Sequence, residues 1–332
     1  MSTITNKIWQ RAPNVSRQAL SLAYHTLKSP FEYERNRNLS KYDVAVGRKG
    51  LINYVPPVFD IFISSACNLR CPTCLFRLKD GDVFTNGGMI EVDTLKSVID
   101  RYVPRITTVW LSGGEPLLHP KFHEIVGILK RKALPVMLST NGLLIEEHID
   151  ALQSVDFINV SMDGYDYQSF KRLRGGTQKQ FDTIVRNLAL LTRDGIKFTI
   201  SFVLSLNNLP YIHGMIRFAR KVSPSCVYFH NINPHGSKDY EPLTINQDVI
   251  HVMSDVMGIS DYPFDMVLPV VFDSKSRLFK TAKCDQPWGA CYFDDKGDIA
   301  YCCHLRHNRV NGNIFDGYDF NSESIRSFRN QM

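Results

Sequence analysis

The sequence predicts an α/β protein: a partial (β/α)6 barrel that stays open, with a small extension at its carboxyl end. Three features lead there. Short apolar, β-branched runs recur at 58–64 (VFDIFIS), 106–112 (ITTVWLS), 135–140 (PVMLST), 156–162 (DFINVSM), 198–205 (FTISFVLS) and 226–232 (CVYFHNI). Stretches of helical periodicity lie between them, such as 92–103, 121–132 and 181–195, and strands alternating with helices read as parallel β/α units. The strand runs are nearly continuous in apolar residues, which suits a sheet buried on both faces. Six units fall short of the eight that close a barrel.

In chain order, residues 1–55 form a basic arm. Residues 1–50 hold nine Lys/Arg and three Asp/Glu, which accounts for the whole net charge of +6, so the remainder of the chain is balanced. Leu20, Leu22, Ala23 and Leu27 mark a helical stretch within the arm. Two readings stand: a solvated helix packed outside the main domain, or a surface for an anionic partner such as lipid head groups, a phosphorylated substrate or nucleic acid. Arg35, Arg37, Lys41, Arg48 and Lys49 are the contacts in the second reading. The opening residues lack the apolar core of a secretory signal, and no run of about 18 apolar residues appears. Eight cysteines in such a chain read as metal or redox ligands rather than a disulfide framework. A cytoplasmic location is expected.

Residues 56–235 are the barrel. Chemistry in such folds gathers at the carboxyl ends of the strands, and four successive tips there are polar or glycine-rich. The first is SACNLRCPTCLF (65–76), carrying Cys67, Cys71 and Cys74; then come SGGEP (112–116), STNG (139–142) and SMDG (161–164). Glycines at these tips let backbone groups approach a ligand closely. A closed zinc site takes four ligands, and a catalytic one more often uses His or carboxylate. Three cysteines spaced C-x3-C-x2-C suit instead a [4Fe-4S] cluster with three irons held and one left open.

That spacing after a first strand, followed by GGEP after the second, resembles the radical S-adenosylmethionine (SAM) enzymes, over residues from about 56 to 235. The resemblance implies a partial barrel of the radical SAM type. Cys67, Cys71 and Cys74 would bind the cluster, whose open iron takes the amine and carboxylate of SAM. Gly113, Gly114 and Glu115 match the loop that receives the SAM amino group. Ser139, Asn141, Ser161 and Asp163 stand where relatives contact the ribose and methionyl end. Arg174 of RLRGG matches an arginine set against the SAM carboxylate, a role suited to a fixed cationic fork. One departure is Thr73, where many relatives carry an aromatic residue near the adenine; Phe76 is the nearest substitute. An outside electron donor such as flavodoxin or ferredoxin is implied.

After a connecting segment (236–280), residues 281–332 carry Cys284, Cys291, Cys302 and Cys303. Cys284, Gly297 and Cys302 form a C-x12-G-x4-C pattern that resembles the start of the twitch/SPASM extensions, which hold an auxiliary iron–sulfur cluster. A hairpin around DDKGD would bring the four cysteines together. Relatives follow a segment like SIRSFRNQM with a C-x2-C pair that is not found before Met332. Replacement by Cys291 or Cys303, an open iron, a shortened chain and a clusterless domain all stay open.

The function this implies is reductive cleavage of SAM to a 5′-deoxyadenosyl radical, hydrogen abstraction, and oxidation of a sugar-like or other small molecule assisted by the auxiliary cluster. Peptide maturation, a redox-neutral epimerase or mutase, and a non-enzymatic iron–sulfur sensor are the alternatives. No catalytic residue is assigned. Asp60, Tyr228 and Asp298 are unassigned bases, His230, Asn231, Asn233 and His235 are pocket or loop polars, and Cys226 reads as a small buried hydrophobe.

Overall fold

The computed structural model describes residues 38–39, 41–42, 50–74, 87–232, 240–259, 261–269, 286–300 and 309–331. Strands and helices alternate as β1 (Val58–Ser64), α1 (Val92–Tyr102), β2 (Thr108–Gly113), α2 (Phe122–Arg131), β3 (Val136–Thr140), α3 (Ile149–Leu152) and β4 (Phe157–Ser161). There follow α4 (Tyr167–Arg174), α5 (Gln178–Arg193), β5 (Phe198–Leu204), α6 (Ile212–Val222), β6 (Cys226–Asn231), α7 (Gln247–Gly258) and β7 (Asp265–Val267). The chain then forms α8 (Gln286–Gly289), β8 (Ala290–Phe293), β9 (Asp298–Ala300), β10 (Arg309–Asn313) and α9 (Glu323–Gln331).

All these strands join one 10-stranded sheet in the order β10-β9-β8-β1-β2-β3-β4-β5-β6-β7. The six expected strands pair in parallel, each with its sequence neighbour. β7 adds to β6 in parallel, and β8 adds in parallel to the other side of β1. The hairpin expected around DDKGD is the antiparallel β8–β9 pair. The sheet is open, with β10 and β7 as its described edges. β8 covers the backbone edge that β1 would otherwise expose, and Phe293 packs edge-on against Phe59 at 5.9 Å.

One face of the sheet is buried under helices, as the 3.6-residue period requires. α1 turns Val92, Leu95, Val98, Ile99 and Tyr102 inward, a stripe of the i, i+3, i+7 kind. These meet Phe59, Ile61, Val109, Leu111, Ile158, Val160, Ile200 and Phe202 in the main core. The opposite face is also largely buried, at Phe62, Thr108, Met137, Thr199 and Ser201, as the sequence leads one to expect, but a polar strip across it is partly exposed. β4 alternates, with Ile158 and Val160 buried and Phe157, Asn159 and Ser161 partly exposed. Hydroxyl and amide groups cannot be sealed against hydrocarbon at low cost, and the strip through Asp60, Ser139, Asn159, Ser161 and Tyr228 stays partly open. Strand pairing lines up its polar residues: Ser139 beside Asn159, Asn159 beside Thr199, Thr199 beside Cys226, and in the next row Ser161, Ser201 and Tyr228.

Among the described residues no helix is long and apolar enough to cross a membrane. Of the basic arm, Arg35, Arg37, Arg48 and Lys49 lie outside the described residues, as do Cys284, Cys302, Cys303, Phe76, Asn233 and His235.

Candidate cluster and cofactor site

The cysteine loop leaves β1 at Ser64 and is stitched to the β2 tip by backbone bonds. Gly114 N donates to Ser64 O and Glu115 N to Ala66 O, both at 2.8 Å. Gly113 makes this approach feasible. Its φ is +138°, and a Cβ there would overlap the Ser64 carbonyl; only glycine tolerates both. Within the loop, Cys74 N donates to Cys71 O at 3.1 Å and closes a turn between the second and third cysteines.

Glu115 is fully buried. Its Oε1 accepts from Leu117 N at 3.1 Å and Thr140 Oγ1 at 2.7 Å, and its Oε2 accepts from Asn141 N at 2.7 Å. Burial pushes its carboxyl upward, against the pull of those bonds. The side chain therefore ties the β2 tip to the β3 tip. Asn141 extends the tie, since its Nδ2 donates to Asn68 Oδ1 of the cysteine loop at 2.6 Å. Replacing Glu115 with Ala leaves buried donors unmatched, so urea unfolding should show a loss of about 3 kcal/mol or more. A loss under about 1 kcal/mol would contradict the strut.

The fourth tip holds a cation supplied by α4. Asp163 has φ +55°. Its Oδ1 accepts from Val203 N at 2.8 Å, and its Oδ2 pairs with Arg174 Nη1 at 3.1 Å. Arg174 ends α4, which opens with a capping box between Asp166 and Ser169 and stops at Gly175 in the left-handed region. A Cβ at Gly175 would come within 2.6 Å of Arg70 O, so α4 abuts the cysteine loop. Thr73 Oγ1 clamps the same contact by donating to Leu173 O at 3.2 Å. The residue that departs from the aromatic pattern is thus a loop anchor.

Arg174 lies among all three cysteines. Burial alone would weaken its positive charge, yet Cys71, Asp163, Cys67 and Cys74 outweigh that and push its pKa up. Its Nε is buried with no hydrogen-bond partner. A buried guanidinium that feels the charge of the three cysteines and still holds a free donor fits an anionic cluster and a carboxylate-bearing ligand. Burial raises the Cys67 thiol; the backbone at Leu69 and the Arg174 charge act the other way. Among the described residues no three His, Cys, Asp or Glu side chains converge as ligands of a single metal ion.

Ser139 Oγ accepts from Trp110 Nε1 at 2.8 Å, and Ser161 is partly exposed on the open face. Sequence reading passed over Thr140, Asn68 and Trp110, which hold the tips together. Thr140 was visible in STNG, but its bond to Glu115 joins residues 25 apart. Asn231 ends β6 and is bonded through both amide atoms to the Leu243 backbone at 2.8–2.9 Å. His230 stacks on Tyr228 at 5.7 Å. Cys226 faces the open side, only partly buried rather than enclosed; burial, then the nearby Asp265 charge, pushes its thiol up to about 12. Cys291 is buried in the main core beside Phe59, and burial, then the Asp60 charge, drives its thiol well above the usual range. Those are the surroundings of a packing residue.

The chain is similar to known proteins. Residues 61–219 match the family model of the Radical SAM superfamily. The chain is 32% identical over 181 residues to GTP 3′,8-cyclase of Chlorobaculum tepidum, covering 52% of this chain and 50% of that protein. It thus spans about half the length of that relative. It is 22% identical over 280 residues to the antilisterial bacteriocin subtilosin biosynthesis protein AlbA of Bacillus subtilis, covering 79% of this chain and 59% of AlbA. Its fold matches that of Streptococcus suis SuiB bound to S-adenosylmethionine with a TM-score of 0.67 at 15% identity, over 91% of this chain and 74% of SuiB. The three-cysteine loop, the glycine-rich second tip and the parallel sheet beneath them agree with that match, which assigns residues 61–219 to the Radical SAM superfamily.

Proposed function

We propose that the protein oxidises a hydroxyl-bearing small molecule seated on the open face of its sheet. One observation carries this reading: below the rim that face offers Asp60, Ser139, Asn159, Ser161 and Tyr228, hydrogen-bonding and partly exposed. When bound, the [4Fe-4S] cluster and SAM supply a 5′-deoxyadenosyl radical that takes a hydrogen atom, and an auxiliary cluster supplies an acceptor for the second electron.

The chain's own residues divide the remaining work. Cys67, Cys71 and Cys74 hold the cluster. Arg174 would hold the SAM carboxylate with its free N–H donor, and Asp163 fixes the guanidinium. Gly113 and Gly114 would present backbone to the SAM amine while Glu115 holds them in place, and Ser139, Asn141 and Ser161 would meet the ribose and methionyl end. Asp60, already accepting from Ser112 Oγ, is placed to take the hydroxyl proton as the alcohol is oxidised. Cys284 and Cys302 are the auxiliary ligands, Cys303 their neighbour, and Cys291 packs. The domains run 1–55, 56–235, 236–280 and 281–332, and a flavodoxin or ferredoxin delivers the electron.

A second reading, peptide modification, draws on AlbA, a bacteriocin biosynthesis protein to which the likeness runs over 79% of this chain. Alcohols deuterated at the carbinol carbon separate the readings. Oxidation predicts deuterium in 5′-deoxyadenosine, none returned to product, and one SAM consumed per product. Cys302→Ala should then keep SAM cleavage and stall product. Label recycled into product would support a redox-neutral reaction, and turnover with peptides alone would support the second reading.

A further inference from the structure

We infer that a cavity at the amino-terminal end of the sheet, opposite the cysteine rim, binds a phosphate-bearing small molecule. Its walls are the segment Ile52–Val55 that leads into β1, the end of α1 with Arg105 beyond it, and the turn at 318–321 ahead of α9. Its volume is about 540 Å³, within the range of roughly 300–1,000 Å³ typical of small-molecule sites. Nothing in the radical chemistry uses it.

Charge names the ligand. Lys41, Arg101 and Arg105 line the cavity with a single carboxylate, Asp319, whose Oδ1 accepts from Asn321 N at 2.8 Å. Among the described residues none of the three cations is paired with a carboxylate. Each is instead moored to backbone carbonyls. Lys41 Nζ donates to Asn53 O at 3.2 Å, Arg101 Nη1 to Phe315 O at 3.3 Å, and Arg105 Nη2 to Arg101 O at 3.1 Å. The Arg105 guanidinium also lies 5.7 Å from the centre of the Tyr102 ring.

Those moorings leave N–H donors on every cation. Three like charges around one space repel unless an anion lies between them. Holding them in place beforehand lowers the entropy lost when a ligand arrives. Two guanidinium forks with an ammonium match phosphate oxygens better than they match a lone carboxylate. Tyr102, Phe320 and Tyr318 form a fixed aromatic wall, with ring centres 5.8 and 5.3 Å apart in sequence. Lys41, the described member of the basic arm's charges, thereby gains a partner of the phosphorylated kind.

The test titrates inorganic pyrophosphate into the full chain with its cluster reconstituted, followed by calorimetry. Saturable binding is expected, weakened about tenfold or more by Arg105→Gln and by Lys41→Gln and retained by Lys41→Arg. SAM cleavage should be unchanged in all three variants, which reports that they are folded. Phosphatidic acid vesicles form the second arm. No saturable pyrophosphate binding, equal affinity in the glutamine variants, or binding to vesicles alone would each overturn the proposal.

Discussion

Arg174→Leu is expected to lower SAM affinity by about a hundredfold or more, measured by equilibrium dialysis on reconstituted protein. The guanidinium is buried, lies amid Cys67, Cys71 and Cys74, and keeps an unpartnered Nε. On the proposed reading, its loss removes a charged fork offered to the SAM carboxylate. It also strands Asp163, which is 3% exposed, and breaking such a buried pair costs about 3–5 kcal/mol. Stability and binding would then fall together, so a second variant separates them. Adding Asp163→Asn to Arg174→Leu removes the stranded charge and keeps an oxygen acceptor for Val203 N. Urea unfolding should recover much of its midpoint while SAM affinity stays low. Recovery of both would make Arg174 a purely structural residue.

Gly113→Ala should be nearly as severe. An alanine at φ +138° is strained, and its Cβ would overlap the Ser64 carbonyl, which is backbone and has nowhere to go. The expected loss is about 3 kcal/mol or more, together with iron and sulfide content well below wild type, because the cysteine loop hangs from this junction. Gly195→Ala is the control. It also has positive φ, +68°, but nothing lies within 4 Å of its Cβ, so it should cost only about 1–2 kcal/mol and leave iron content intact. Equal losses at the two positions would mean that φ alone, and not the Ser64 contact, decides.

Local patterns carried the barrel. VFDIFIS is β1 to the residue, and the other five runs lie within two residues of the observed strands, because β-branched and aromatic runs between turn-forming residues leave little choice. α5 starts at Gln178 rather than 181, since Thr177 and Gln180 close a capping box there; that signal was present in the sequence and was passed over. β8 was not predicted as a strand beside β1, since its pairing with residues more than 200 positions earlier has no local signature. The partly exposed polar strip was also missed. Polar residues at alternate positions of DFINVSM were visible, but the run was read as continuous.

At the site, the cysteines and the glycine-rich tips were readable because their spacing is local. The Glu115 strut and the free Nε of Arg174 were not, because each depends on where other tips arrive in space. For the auxiliary cysteines, Cys291 shows the limit of proximity in sequence: seven residues after Cys284, it is carried by β8 into the core.

The central claim is that three cysteines on one loop hold a SAM-cleaving cluster. Anaerobic reconstitution, reduction with dithionite and addition of SAM test it, with 5′-deoxyadenosine measured by chromatography. Wild-type protein should release it and Cys71→Ala should release none. Cleavage that survives Cys71→Ala would contradict the assignment.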